Sequence, residues 1–96
     1  MTVYVISNVR PKPGEALDQY RRLAAESIER HGGRYLVRGG DPVVVEGAWR
    51  DAAVVVAFPD MDAAQRWYRS SDYTEALRWR DAALDRDLVF VEGVEP

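Results

Sequence analysis

His31 is the only histidine in the chain, and imidazole is the side chain that gives and takes a proton near neutral pH without any perturbation. It is therefore the first candidate for catalysis. Its position serves a second role equally well. It stands just before Gly32-Gly33, at the end of a helical pattern, where a partial positive charge complements the helix dipole. Arg38 precedes Gly39-Gly40, where backbone can approach a ligand closely and a guanidinium can grip a carboxylate or enolate oxygen. Glu46 follows Val45 and lies near Trp49; buried among them, its carboxyl would become basic enough to act as a general base. An ion pair between Arg38 and Glu46 is the competing expectation. Further along, Tyr68, Ser70, Tyr73 and Arg80 place phenols, a hydroxyl and a guanidinium on one stretch, and Asn8 shares the strand parity of Tyr4 and Ile6. These residues are the expected polar lining of a pocket. Rings at helical spacing serve more often as core than as a ligand cage.

Several chemistries drop out. The chain has no cysteine, so disulfides, thiolate ligands and thiol nucleophiles are absent. One histidine without cysteine does not make a zinc site, although magnesium held by carboxylates stays open. Gly39-Gly40 runs into Asp41-Pro42 rather than into a helix and a lysine, so it is not a phosphate cradle. No nucleophile elbow occurs. No cofactor is expected.

The elements that must position these groups follow from periodicity. Val3 to Val9 reads as a strand stopped by Arg10-Pro11-Lys12-Pro13-Gly14, because proline lacks a donor and fixes φ. From Glu15 to His31, Leu17, Tyr20, Leu23, Ala24 and Ile28 recur at steps of three and four, which makes an amphipathic helix. Gly32-Gly33 provides its exit. Tyr35-Leu36-Val37 is a second strand, and Val43-Val44-Val45 resumes extended structure up to Gly47. Ala53 to Phe58 is the third strand. Asp60 or Asp62 then caps a helix carrying Met61, Ala64, Trp67 and Tyr68. Ser70-Ser71 interrupts that helix, and Asp72 with Glu75 forms a capping box for the next piece. Leu88 to Val91 is the last strand, with Glu92 to Pro96 as an exposed tail.

Strand, helix, strand, strand, helix, strand is the order of a ferredoxin-like α+β domain, with helices over one face of a four-stranded antiparallel sheet. The 96 residues and 47% hydrophobic content suit a single domain over 1–96. The strands are apolar in both parities: Val3, Val5 and Val9 on one side, Tyr4 and Ile6 on the other. Half-solvated strands alternate with polar residues instead, so the second face is expected to be covered by a twin copy in a homodimer. The net charge of −3 is spread without a basic block, which argues against a nucleic-acid partner. No stretch approaches the roughly 20 apolar residues that span a bilayer, so no membrane partner and a cytoplasmic location are the expectations.

The segments His31-Gly32-Gly33-Arg34-Tyr35-Leu36-Val37-Arg38-Gly39-Gly40, Glu46-Gly47-Ala48-Trp49, Phe58-Pro59 and Trp67-Tyr68-Arg69-Ser70-Ser71-Asp72-Tyr73, with Arg80, resemble the family called domain of unknown function 1330. The likeness runs from Tyr4 to Gly93. It departs from the family pattern at Asp51-Ala52-Ala53, where an arginine is common, and at Asp60, where a serine often follows the Phe-Pro pair. The resemblance implies a dimeric α/β barrel, the architecture of cofactor-independent monooxygenases, of isomerases and of small-ligand binders. The functional expectation is thus a dimer that binds or transforms a small organic molecule between helices and sheet, by cofactor-free proton transfer. The alternative is a non-catalytic ligand-binding or structural interaction module.

Overall fold

The structure, a computed structural model, describes residues 1–94. Its elements run β1 (Val3–Pro11), α1 (Glu15–Arg30), β2 (Arg34–Gly40), β3 (Ala52–Phe58), α2 (Met61–Arg69), α3 (Ser71–Ala83) and β4 (Leu84–Glu92). The sheet is antiparallel with strand order β2-β3-β1-β4, the ferredoxin-like arrangement. Register decides which residues look inward. Val3, Val5, Ser7 and Val9 of β1 stand opposite Phe58, Val56, Val54 and Ala52 of β3. On the other flank Val5, Ser7, Val9 and Pro11 meet Phe90, Leu88, Arg86 and Leu84 of β4. This row faces the helices and forms the floor of the core.

The helices begin and end for local reasons. Gly32, at φ 80, ends α1, a backbone state that costs glycine nothing. Gly33 is required for a different reason: a Cβ there would come within 2.8 Å of Ile28 Cγ2 and of the Phe58 ring. Asp60 caps α2 by accepting from the Ala63 amide at 2.8 Å, the same service a serine would perform at that position. Ser70 caps α3, accepting from the Tyr73 amide at 3.1 Å while its hydroxyl donates to the Trp67 carbonyl at 2.7 Å. The expected capping box of Asp72 and Glu75 is therefore replaced by Ser70, and Asp72 instead faces Arg30 of α1 at 3.4 Å. Trp67 Nε1 donates to Ser27 Oγ at 3.0 Å and so ties α2 to α1.

Two expectations about strands need correction. Val43-Val44-Val45 does not resume the sheet: residues 41–51 carry no helix or strand, and Val43 and Val45 are about nine-tenths exposed. Gly39, at φ 74, and Pro42 turn the chain away before pairing can restart. The last strand starts at Leu84 rather than Leu88, because α3 runs to Ala83 and delivers the chain directly into the register of Pro11. Of the expected tail from Glu92, Glu95 and Pro96 lie outside the described residues.

Candidate functional site

A cavity of about 330 Å³ lies between α1 and the helix-facing side of the sheet. Its floor is Val5, Ser7 and Val9 of β1 with Val54 and Val56 of β3 and Leu88 of β4, and its roof is Leu17, Tyr20, Ala24 and Ile28 of α1. Trp67 is the only residue of α2 that lines it, and α3 contributes none. α1 packs side by side with α3, and the small side chains Ser7, Ala24 and Ala52 leave the gap beneath it unfilled.

The polar equipment gathers around Arg86. Its parity with Leu84 and Leu88 sends the side chain to the helix side of the sheet. There Nη1 donates to the Tyr20 hydroxyl at 2.7 Å and Nη2 to the Tyr73 hydroxyl at 2.6 Å. The two hydroxyls lie 2.6 Å apart, so one donates to the other. Tyr73 is fully buried and Tyr20 nearly so. Burial pushes the Tyr20 phenol far above its ordinary range, its Tyr73 neighbour adds to the rise and Arg86 opposes it. Tyr20 is thus a protonated hydrogen-bond partner at neutral pH, never a base. Burial works against the Arg86 charge, but the adjoining phenol oxygens more than offset it, and its pKa lies above the usual value. The guanidinium is a permanent cation. Its buried Nε has no partner among the described residues.

Arg38 reaches the same cavity because β2 carries a bulge. Tyr35 stands opposite Val56, yet Arg38 stands opposite Val54, with the register slipping between Tyr35 and Val37. The extra residue, Leu36, turns Arg38 onto the same face as Tyr35. Its guanidinium lies over the Tyr35 ring, 4.5 Å from the centroid. Burial raises the Tyr35 phenol pKa, and Arg38 opposes the rise. Arg21 of α1, like Arg38, is solvent-exposed and completes the rim.

The residues singled out from sequence separate accordingly. Arg38 lines the cavity, and Tyr73 supplies a hydroxyl to the Arg86 cluster. Asn8 is a correction: it shares a face with Tyr4 and Ile6, and that is the helix-free face. There its Oδ1 accepts from the Arg50 amide at 2.9 Å, and Arg50 in turn pairs with Asp87 at 2.6 Å. His31 caps α1, with Nδ1 2.8 Å from the Ser27 carbonyl oxygen, and does not line the cavity. Glu46 is exposed in the 41–51 segment rather than desolvated, and forms no ion pair with Arg38 among the described residues. The hydroxyl of Ser70 is committed to its cap. Tyr68 packs edge-on against Trp67 and Phe90, and Arg80 pairs with its neighbour Asp81 at 3.2 Å. The cavity thus lies under α1, not under the α2–α3 arm that carries Tyr68, Ser70 and Tyr73.

Sequence reasoning missed Tyr20 and Arg86. Tyr20 looked like one more apolar position on the α1 stripe. Arg86 lay outside the strand as read from sequence, although its parity with Leu88 and Phe90 was the available signal. Among the described residues, no group of three or more carboxylate and histidine side chains is placed to hold a metal ion. No described helix is long and apolar enough to cross a membrane.

The family described as "Domain of unknown function (DUF1330)" matches residues 2–94. No curated protein matches the sequence. Among solved structures, a protein of unknown function from Rhodopseudomonas palustris superposes with TM-score 0.77 at 24% identity, covering 99% of this chain and 84% of that one. A dimeric ferredoxin-like protein of unknown function from Jannaschia sp. CCS1 gives 0.69 at 11% identity, covering 97% and 100%. SnoaB, a cofactor-independent oxygenase from Streptomyces nogalater, gives 0.62 at 14% identity, covering 99% and 95%. At such identities the likeness shows a shared ferredoxin-like fold.

Proposed function

This chain belongs to the DUF1330 family, and from that premise we propose that it is a cytoplasmic homodimer in which each subunit takes a small organic molecule into the cavity beneath α1. The observation that carries this reading is the cavity itself. Its walls are mostly apolar, and one half-buried guanidinium, without an ion pair among the described residues, is held in place by two phenols. A concave, largely apolar site with a few convergent polar groups is the usual form of a small-molecule site. The dimer is supported by the helix-free face, where Tyr4, Ile6, Val37, Val55, Val89 and Val91 lie together. Val89 and Val91 are about half exposed there. A structural relative described as dimeric is consistent with that pairing.

Turnover without a cofactor is the second reading, and the Arg86 cluster favours it. A fixed cation stabilises an oxyanion as it develops, and the phenol hydroxyl left without an acceptor can donate a hydrogen bond to the same oxygen. The shared fold with a cofactor-independent oxygenase is compatible with such chemistry. Neither His31 nor Glu46 lines the cavity, so the base would have to be the substrate's own ionised group. Thermal-shift screening with carboxylic and phenolic metabolites, followed by product analysis on every hit, separates the readings. Stabilisation without product means binding alone; product formation means an enzyme; no stabilisation by any compound overturns both.

A further inference from the structure

Resting on the reading of the cavity as a ligand site, we infer that its ligand is a small organic anion, with an aromatic or apolar body on the valine floor and a carboxylate, phenolate or enolate oxygen at Arg86. The chain as a whole is acidic, with a net charge of −3. Yet the titratable side chains lining the cavity are Tyr20, Arg21, Tyr35, Arg38 and Arg86, without a carboxylate among them. Elsewhere most arginines are matched: Arg10, Arg22, Arg30, Arg50, Arg66, Arg78 and Arg80 each stand beside an Asp or Glu, and Arg34 and Arg69, the exceptions among the described residues, are exposed. Arg86, half-buried in the cavity wall, enters no ion pair among the described residues.

Hydrogen-bond accounting points the same way. Arg86 donates to both phenols and one phenol donates to the other, which leaves the proton of the second phenol, the Nε–H and further guanidinium N–H groups in surplus. The cluster is rich in donors and short of an acceptor. An anionic oxygen satisfies several of these donors at once with charge-assisted bonds. It also supplies the counter-charge that this half-buried cation otherwise lacks among the described residues. Arg21 and Arg38 at the rim add a positive field at the entrance, which speeds the arrival of an anion. The volume, about 330 Å³, sits at the lower end of ligand sites, roughly 300–1,000 Å³, and so suits a body of one or two rings.

The test compares 2-naphthoate with neutral 2-naphthamide, of nearly equal shape, by calorimetric titration and amide chemical-shift mapping on the full chain. The carboxylate is expected to bind at least about tenfold more tightly, with shifts at Ser7, Tyr20 and Leu88 and with weakening as salt is added. Arg86→Met is expected to abolish that preference while leaving the amide's affinity in place, and Arg86→Lys to retain part of it. If Arg86→Met does not fold, the rim pair Arg21→Gln with Arg38→Gln serves instead, and is expected to lower naphthoate affinity and its salt dependence. Equal binding of acid and amide, unchanged by these substitutions, overturns the anion assignment and leaves the cavity reading standing. Failure of both probes to bind, with no shift at the lining residues, overturns the cavity reading and the assignment with it.

Discussion

Tyr20, Tyr73 and Arg86 are held by bonds that leave little freedom to any of the three. Removing the Tyr20 hydroxyl leaves the fully buried Tyr73 hydroxyl one partner short and takes an acceptor from half-buried Arg86, and an unsatisfied buried polar group costs about 1–3 kcal/mol. Tyr20→Phe is therefore expected to lower stability by that amount in urea denaturation, with the fold retained. The pH dependence has a definite sign. The folded-state pKa of Tyr20 lies above that of the unfolded phenol, near 10, so the folded state holds the proton more firmly. This contribution to stability is complete below pH ~10 and is lost as pH rises through the window above it. Circular dichroism at increasing pH should show alkaline unfolding in the parent protein and a flatter dependence in Tyr20→Phe. Identical curves would remove Tyr20 as the cause.

At the scale of elements, the joints between helices and strands rest on single residues. Ser70 both ends α2 and starts α3, so Ser70→Ala loses a cap worth about 0.5–2 kcal/mol and frees the angle between the two helices. Its melting temperature should fall, whereas Ser70→Asp, which still caps, should recover most of it. Gly33 has no room for a methyl group against Ile28 and Phe58. Gly33→Ala is expected to cost about 1–3 kcal/mol through overpacking, read as a lower urea midpoint. The β2 bulge is the element with the largest consequence for the site. Without it, strict alternation would turn Arg38 away from the cavity that Tyr35 faces.

For the whole molecule, the decisive quantity is what covers the helix-free face. Val37, Val89 and Val91 are exposed in the single chain, and burying an apolar side chain of this size is worth about 1.5–3 kcal/mol. Val89→Asp is expected to convert a dimer to a monomer in light scattering while the isolated subunit keeps its circular dichroism spectrum. A monomeric mass for the unmodified protein at micromolar concentration would refute the dimer. The polar cluster of Asn8, Arg50 and Asp87 borders this apolar face and would mark its edge in such an assembly.

Much of this architecture was legible in the order of residues alone. Period-two runs, the three-and-four spacing of α1, prolines and paired glycines each act over a few neighbours, so they reveal strand, helix and turn without knowledge of the rest. The ferredoxin-like order follows from them, as does the doubly apolar sheet. The site was not legible, because it depends on which side chains distant segments bring together. Tyr20, Tyr73 and Arg86 are separated by 53 and 13 residues, and only the register of β4 on β1 and the docking of α1 along α3 unite them. Asn8 and Arg38 make the same point in opposite directions. Parity told which residues share a face with Asn8, but not that this was the face without helices. A one-residue slip in β2, invisible to any local pattern, aimed Arg38 into the cavity.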